Sequence, residues 1–203
     1  MRHAIATTML LALVSSAPAF PKTDTKFESA EVGKSHMEFD CPARRHLRLY
    51  VRSGEIHVVG TDDSKISVDL SGKNAGNIQN VIARLTCTPN AAELNVSGGP
   101  KSEFSITIHV PKTLDLYARI PAGEVTVENI TGNKDVELHA GELIIYVGNA
   151  NDYGHVDASV ITGEVDAEVF GFNKGGLFRT VSRDSNGHYS LHAHVGTGQL
   201  TLR

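Results

Sequence analysis

Gly123-Glu124-Val125-Thr126-Val127 decides the fold, because it comes back along the chain. It returns as Gly141-Glu142-Leu143-Ile144-Ile145, as Gly163-Glu164-Val165-Asp166-Ala167 and as Gly198-Gln199-Leu200-Thr201-Leu202. An earlier copy, Gly54-Glu55-Ile56-His57-Val58, lies in the first half. The four later copies are separated by 18, 22 and 35 residues. A motif that returns about every 20 residues marks stacked coils, since one coil of two or three short strands cannot bury its apolar face alone. Glycine at the same place in each copy suits a corner, where backbone angles that other residues resist are needed.

The sequence on either side supports strands. Leu47-x-Leu49-x-Val51, Ile66-x-Val68-x-Leu70, Leu94-x-Val96 and Phe104-x-Ile106-x-Ile108-x-Val110 alternate with period two and are bounded by Gly, Ser, Asp or Pro. One stretch differs: Ile78, Val81, Ile82 and Leu85 have helical spacing, while Ala83-x-Leu85-x-Cys87 alternates. We read it as at most one short helix near residues 75–80 leading into a strand. The predicted fold is all-β, a β-solenoid or right-handed β-helix-like stack of short strands turning at Gly54, Gly123, Gly141, Gly163 and Gly198. The alternative is an antiparallel β-sandwich, which short strands and turns also describe and which the 35-residue gap favours.

Length and composition set outer limits. The 203 residues make about one domain, and 40% hydrophobic content suffices for a core. Nineteen basic against 23 acidic side chains give a net charge of −4 with His neutral, which argues against a general nucleic-acid binder. Met1-Arg2-His3, an apolar run from Ala4 to Val14 and the small-residue exit Ala17-Pro18-Ala19 read as a signal peptide over residues 1–19. Cleavage after Ala19 leaves 184 residues with a net charge of −5. Residues 20–34 read as a flexible lead-in, because they are polar and aperiodic, and 35–203 as a single domain. With this leader the chain is expected outside the cytosol, periplasmic, on the cell surface or secreted, and no apolar run reaches the ~20 residues of a transmembrane helix. There Cys41 and Cys87, each on an apolar face, meet oxidising conditions. They form either a disulfide or two separately buried thiols.

Taken together, Ser53-Gly54-Glu55-Ile56-His57-Val58-Val59-Gly60, Ile106-x-Ile108-His109-Val110-Pro111-Lys112 and the recurring Gly-Glu-aliphatic corners make the chain resemble a known family. It is similar to the bacterial adhesin-type (head or toast-rack) domains of unknown function found on exported envelope proteins, from about Leu47 to Arg203. The resemblance implies an all-β stack of short strands, an envelope or surface location and, by name only, adhesion. It implies no catalytic residues.

Motifs for chemistry are sparse. There is no Gly-x-Ser-x-Gly, no phosphate-binding loop and no His-Glu-x-x-His, which argues against an enzyme, and no cofactor is predicted. His188, His192 and His194 would share one face of an extended strand and are the metal candidates, although Asn186-Gly187 predicts a turn that takes His188 out of line. Glu55, Glu124, Glu142 and Glu164 would align in a registered stack, where a calcium ion would relieve their repulsion; otherwise they splay into solvent. Asp157, Glu164 and Asp166 are candidates for a glycosidase carboxylate pair, but the 7 Phe and 5 Tyr are scattered and form no evident sugar platform. The sequence therefore reads as a non-catalytic exported interaction protein that binds a protein or glycan at the cell envelope. An envelope-stress or regulatory sensing module and a carbohydrate-active enzyme are the alternatives.

Overall fold

The structure is a computed structural model that describes residues 27–41, 45–72, 78–88, 90–100 and 104–203. The predicted signal peptide lies outside the described residues, as do positions 75–77 of the expected short helix; Ile78–Asn80 form a turn. Thirteen strands run through the described residues. They are β1 (Phe27–Val32), β2 (His36–Phe39), β3 (His46–Val51), β4 (Ser53–Thr61), β5 (Ile66–Gly72), β6 (Ile82–Cys87) and β7 (Ala92–Ser97). The remaining strands are β8 (Phe104–Pro111), β9 (Asp115–Glu128), β10 (Lys134–Ile145), β11 (Tyr153–Ala167), β12 (Phe172–Asp184) and β13 (Tyr189–Leu202).

The repeating unit is a strand bent at its glycine. In β9, the first arm pairs in parallel with β3 and the second with β4, so β3 and β4 together are one bent strand. Bent β9, β10, β13 and β11 then lie side by side, all parallel. Each arm buries alternate residues, and the corner shifts the count: Leu116, Ala118 and Ile120 point inward before it, Val125 and Val127 after it. The same five-residue step separates Val51 from Ile56, Leu138 from Leu143, Val160 from Val165 and Val195 from Leu200. Inward side chains from both arms join one aliphatic core. The protein is an all-β, solenoid-like stack. The antiparallel pairing considered as an alternative occurs toward its two ends, in β1–β6–β7 and β2–β5–β8 at one and β11–β12 at the other.

The irregular 35-residue interval has a topological cause. After β11 the chain doubles back as antiparallel β12, then returns as β13 into the slot between β10 and β11. The glycines therefore stack in the spatial order Gly54, Gly123, Gly141, Gly198, Gly163, which is not their chain order. Within the expected flexible lead-in of residues 20–34, positions 20–26 lie outside the described residues, and Phe27–Val32 is instead a strand paired with β6. Its six residues alternate too weakly to signal a strand, and their order comes from the ladder bonds offered by the neighbouring β6. Cys41 and Cys87 are joined in a disulfide, with Cα atoms 6.2 Å apart, that links the end of β2 to the end of β6.

What makes the corners close is contact between backbones. The glycines of the row have φ between +131° and +144°, a region that L side chains rarely adopt. A Cβ on Gly141 would lie 1.9 Å from the Gly123 carbonyl oxygen, and one on Gly163 would lie 1.7 Å from that of Gly198. Gly148 also has a positive φ, yet nothing lies within 4 Å of its missing Cβ. Gly148→Ala should therefore cost about 1 kcal/mol from backbone strain alone. Gly141→Ala, which adds a steric collision, should cost more than about 4 kcal/mol or prevent folding. Denaturant unfolding of the two variants checks this, and equal losses would contradict the close-packed corner.

Candidate binding face

The outward residues of the first arms form rows across the stack. One row runs Arg48, Tyr117, Asp135, His192, Asp157, and the next runs Tyr50, Arg119, Glu137, His194, Ser159. The stack brings together residues that are far apart in the chain. Tyr50 and Tyr117 meet edge to face with ring centroids 6.4 Å apart, and the Arg119 guanidinium carbon lies 3.7 Å from the centre of the Tyr117 ring. Arg119 is fixed from several sides. Its Nη1 donates to the Ala118 and Asp135 carbonyls, while Nη2 approaches Asp135 at 2.9 Å and Nε approaches Glu137 at 3.1 Å. Such a multiply held guanidinium is pre-organised, and it offers a flat cationic surface beside two aromatic rings.

Two clefts open on this face and share Tyr50. The larger, about 770 Å³, runs toward the corner past Asn95, Arg119, Pro121, His139, Ile161 and His194. The smaller, about 510 Å³, lies among His46, Arg48, Asp115, Tyr117 and Asp135. Together they form an open trough whose floor crosses successive strands.

The sequence candidates distribute as follows. His192 and His194 face outward on β13, but His188 sits in the preceding turn, where its backbone N–H donates to the Asp152 carbonyl, so the three do not form one site. His194 Nδ1 is 2.9 Å from Ser159 Oγ. Among the described residues, the group close enough to grip one ion is Asp135, Glu137 and His192, with ligand atoms within 4.8 Å of one another. Arg119 already pairs with both carboxylates of that group, so the cationic position there is taken by a side chain. The corner acids do align, Glu55 beside Glu124 beside Glu142, but Gln199 then separates Glu142 from Glu164. Asp157 lies on the first arm of β11, whereas Glu164 and Asp166 lie at and beyond the corner, so they do not converge. The aromatic platform absent from the sequence reading is the Tyr50–Tyr117 pair. Alternation alone marks both as outward, but only the register of β3 on β9 makes them neighbours.

A buried lysine interrupts an inward row. Leu47, Leu116, Lys134, Leu191 and Val156 occupy the same level of the stack, and Lys134 is only 2% exposed. Its Nζ donates to the Tyr153 hydroxyl oxygen and, at 3.4 Å, to the Gly132 carbonyl. It also lies 4.7 Å from the centre of the Tyr153 ring. Burial pulls the lysine down to about 8, and burial, reinforced by Asp152 and Tyr189, pushes the tyrosine up to about 12.

No protein-family model matches the chain, and no curated protein does. Among solved structures, a "putative cell adhesion protein" from Clostridium sporogenes aligns over 88% of this chain and 99% of its own, with 12% identity and a TM-score of 0.53. A "putative adhesin" from Bacteroides fragilis aligns over 83% and 96%, with 12% identity and a TM-score of 0.37. The first likeness shows a shared fold, in agreement with the family resemblance seen in the sequence. No helix of the described residues is long and apolar enough to cross a membrane.

The lysine makes a pH prediction. From about 8 to the ordinary lysine value of 10.5, the unfolded chain holds a proton that the folded chain has lost, so stability rises with pH over that window. Above about 10 the tyrosine reverses the trend, because the folded chain keeps its phenol proton up to about 12 while the unfolded chain releases it. Relative to a Lys134→Met variant, the native chain should gain about 3 kcal/mol between pH 7 and pH 10.5. Urea unfolding at both pH values measures it, and a difference independent of pH would contradict the lysine's burial.

Proposed function

We propose that this chain is a non-catalytic, exported recognition module of the adhesin type. It binds an extended polar chain, a glycan of the cell envelope or its surroundings, in the trough on the outer face of the first arms. The observation that carries the reading is the Tyr50–Tyr117–Arg119 cluster set between two adjoining clefts. Tyrosine rings present apolar faces to the C–H faces of sugars and hydroxyls to their polar edges. Around them Asn95, Glu137, His139 and His194 supply donors and acceptors for hydroxyl groups. An open trough on rigid strands suits a polymer that enters from either end, and it holds its contacts pre-organised.

The carboxylates do not favour a glycosidase. Asp135 and Glu137 are both tied to Arg119, and Asp157 is separated from Glu164 and Asp166 by the corner. The fold shared with a protein described as a "putative cell adhesion protein" is consistent with a binding role.

A glycan array probed with the purified exported chain tests the proposal. Binding to at least one polysaccharide class without release of reducing sugar is the expected result. Tyr50→Ala and Tyr117→Ala should each weaken that binding at least tenfold with unchanged melting temperature. Failure to retain any glycan, or binding indifferent to both tyrosines, would overturn the reading.

A further inference from the structure

The two ends of the stack match each other. At one end the sheet stops at the bent pair β1–β2, and at the other it stops at bent β12. Among the described residues β1 pairs only with β6, and β12 only with β11. Following the pairings through the sheet, β1 runs in the direction of the parallel core and β12 runs against it. Two copies set end to end would therefore meet as antiparallel strands, the arrangement in which ladder bonds form most readily.

Register places complementary residues at those edges. The inward row through Ala83, Val96, Leu138, Val195 and Val160 is apolar along its length. It begins at Glu31 on β1 and ends at Arg179 on β12. One residue along, the outward row begins at Val32, 56% exposed, and ends beside Ile161 at Phe178, 78% exposed. Phe178 is held at a φ of +53°, a left-handed backbone that bulky side chains avoid, with exposed Leu177 beside it. A strained, exposed aromatic on a sheet edge points to a contact surface.

We propose that copies of this chain join head to tail, β1 of one against β12 of the next, with Glu31 facing Arg179 and Val32 facing Phe178. Inward charges at a sheet edge ordinarily discourage pairing. Here the signs differ between the ends, so like ends repel and unlike ends attract, which selects the head-to-tail contact over symmetric dimers. Within one chain Glu31 pairs with Lys34 at 2.6 Å, and Arg179 Nε donates to the Gly175 carbonyl at 2.7 Å, so assembly exchanges exposed local partners for facing ones. The contact is heterologous, so a joined pair still presents one free β1 edge and one free β12 edge to which further copies add in a row.

Sedimentation of the purified exported chain over a range of concentration and salt tests this. Mass should grow past a dimer with concentration and fall as salt rises. Glu31→Arg alone and Arg179→Glu alone should each weaken association at least tenfold with unchanged melting curves. Mixing the two variants should restore association, because each then presents the opposite charge to the other at both contacts. Phe178→Gly should weaken association without lowering the melting temperature, since glycine accepts the left-handed backbone. A chain monomeric at all concentrations, an association that stops at a dimer, or charge reversals without effect would overturn the proposal.

Discussion

The structure depends on how closely its strands approach at the corners. Gly123, Gly141, Gly198 and Gly163 each present the missing side chain to the carbonyl oxygen of a neighbouring corner glycine, at distances that leave no room for one carbon atom, while Gly54 at the start of the row faces the Phe104 carbonyl at 3.1 Å. Because the contact is backbone on backbone, no rotamer change relieves it. A second constraint follows. The corner shifts the inward parity by one residue, so the glycine must fall at the same place in every bent strand for Leu143 to sit level with Val125 and Leu200. Register, corner and core are thus fixed by a single row, and the sheet can turn sharply without a bulge at each strand.

Much of this architecture is legible in the sequence for a physical reason. Period-two alternation and a glycine at the corner are local signals, and each is visible within one strand. The recurrence of the Gly-Glu-aliphatic motif adds the expectation that strands stack in parallel, and the aligned glycines agree with it. Spatial order was not legible. Nothing in residues 189–202 distinguishes a strand added at the end of the stack from one inserted inside it, and β13 is inserted. Residues 27–32 were hidden for the opposite reason: Glu28, Ser29, Ala30 and Glu31 lack an alternating pattern, and their order comes from β6.

The candidate face was the least legible part. Tyr50 and Tyr117 are 67 residues apart in the chain and lie on adjacent strands, so their meeting is a property of register rather than of any motif. The histidines show the same limit. Their even spacing correctly puts His192 and His194 on one side of a strand, but His192 meets Asp135 and Glu137 from another coil instead of His188. Lys134 stands where alternation calls for an aliphatic residue, and it is accommodated because Tyr153 places a hydroxyl within its reach. Inward rows carry the fold and outward rows are free to carry chemistry, so the candidate face is assembled across strands and not along them.

The insertion of β13 bears on how the chain reaches its final form. Strands β10 and β11 follow one another in the chain, yet neither can acquire its native neighbour on the facing side until β13 has been made. Emergence from the ribosome therefore leaves a gap in the middle of the molecule, and closing it is a late, long-range step of the kind that slows β-rich proteins. The chain therefore stays open at its centre until its last strand slides home between β10 and β11, and locks only then.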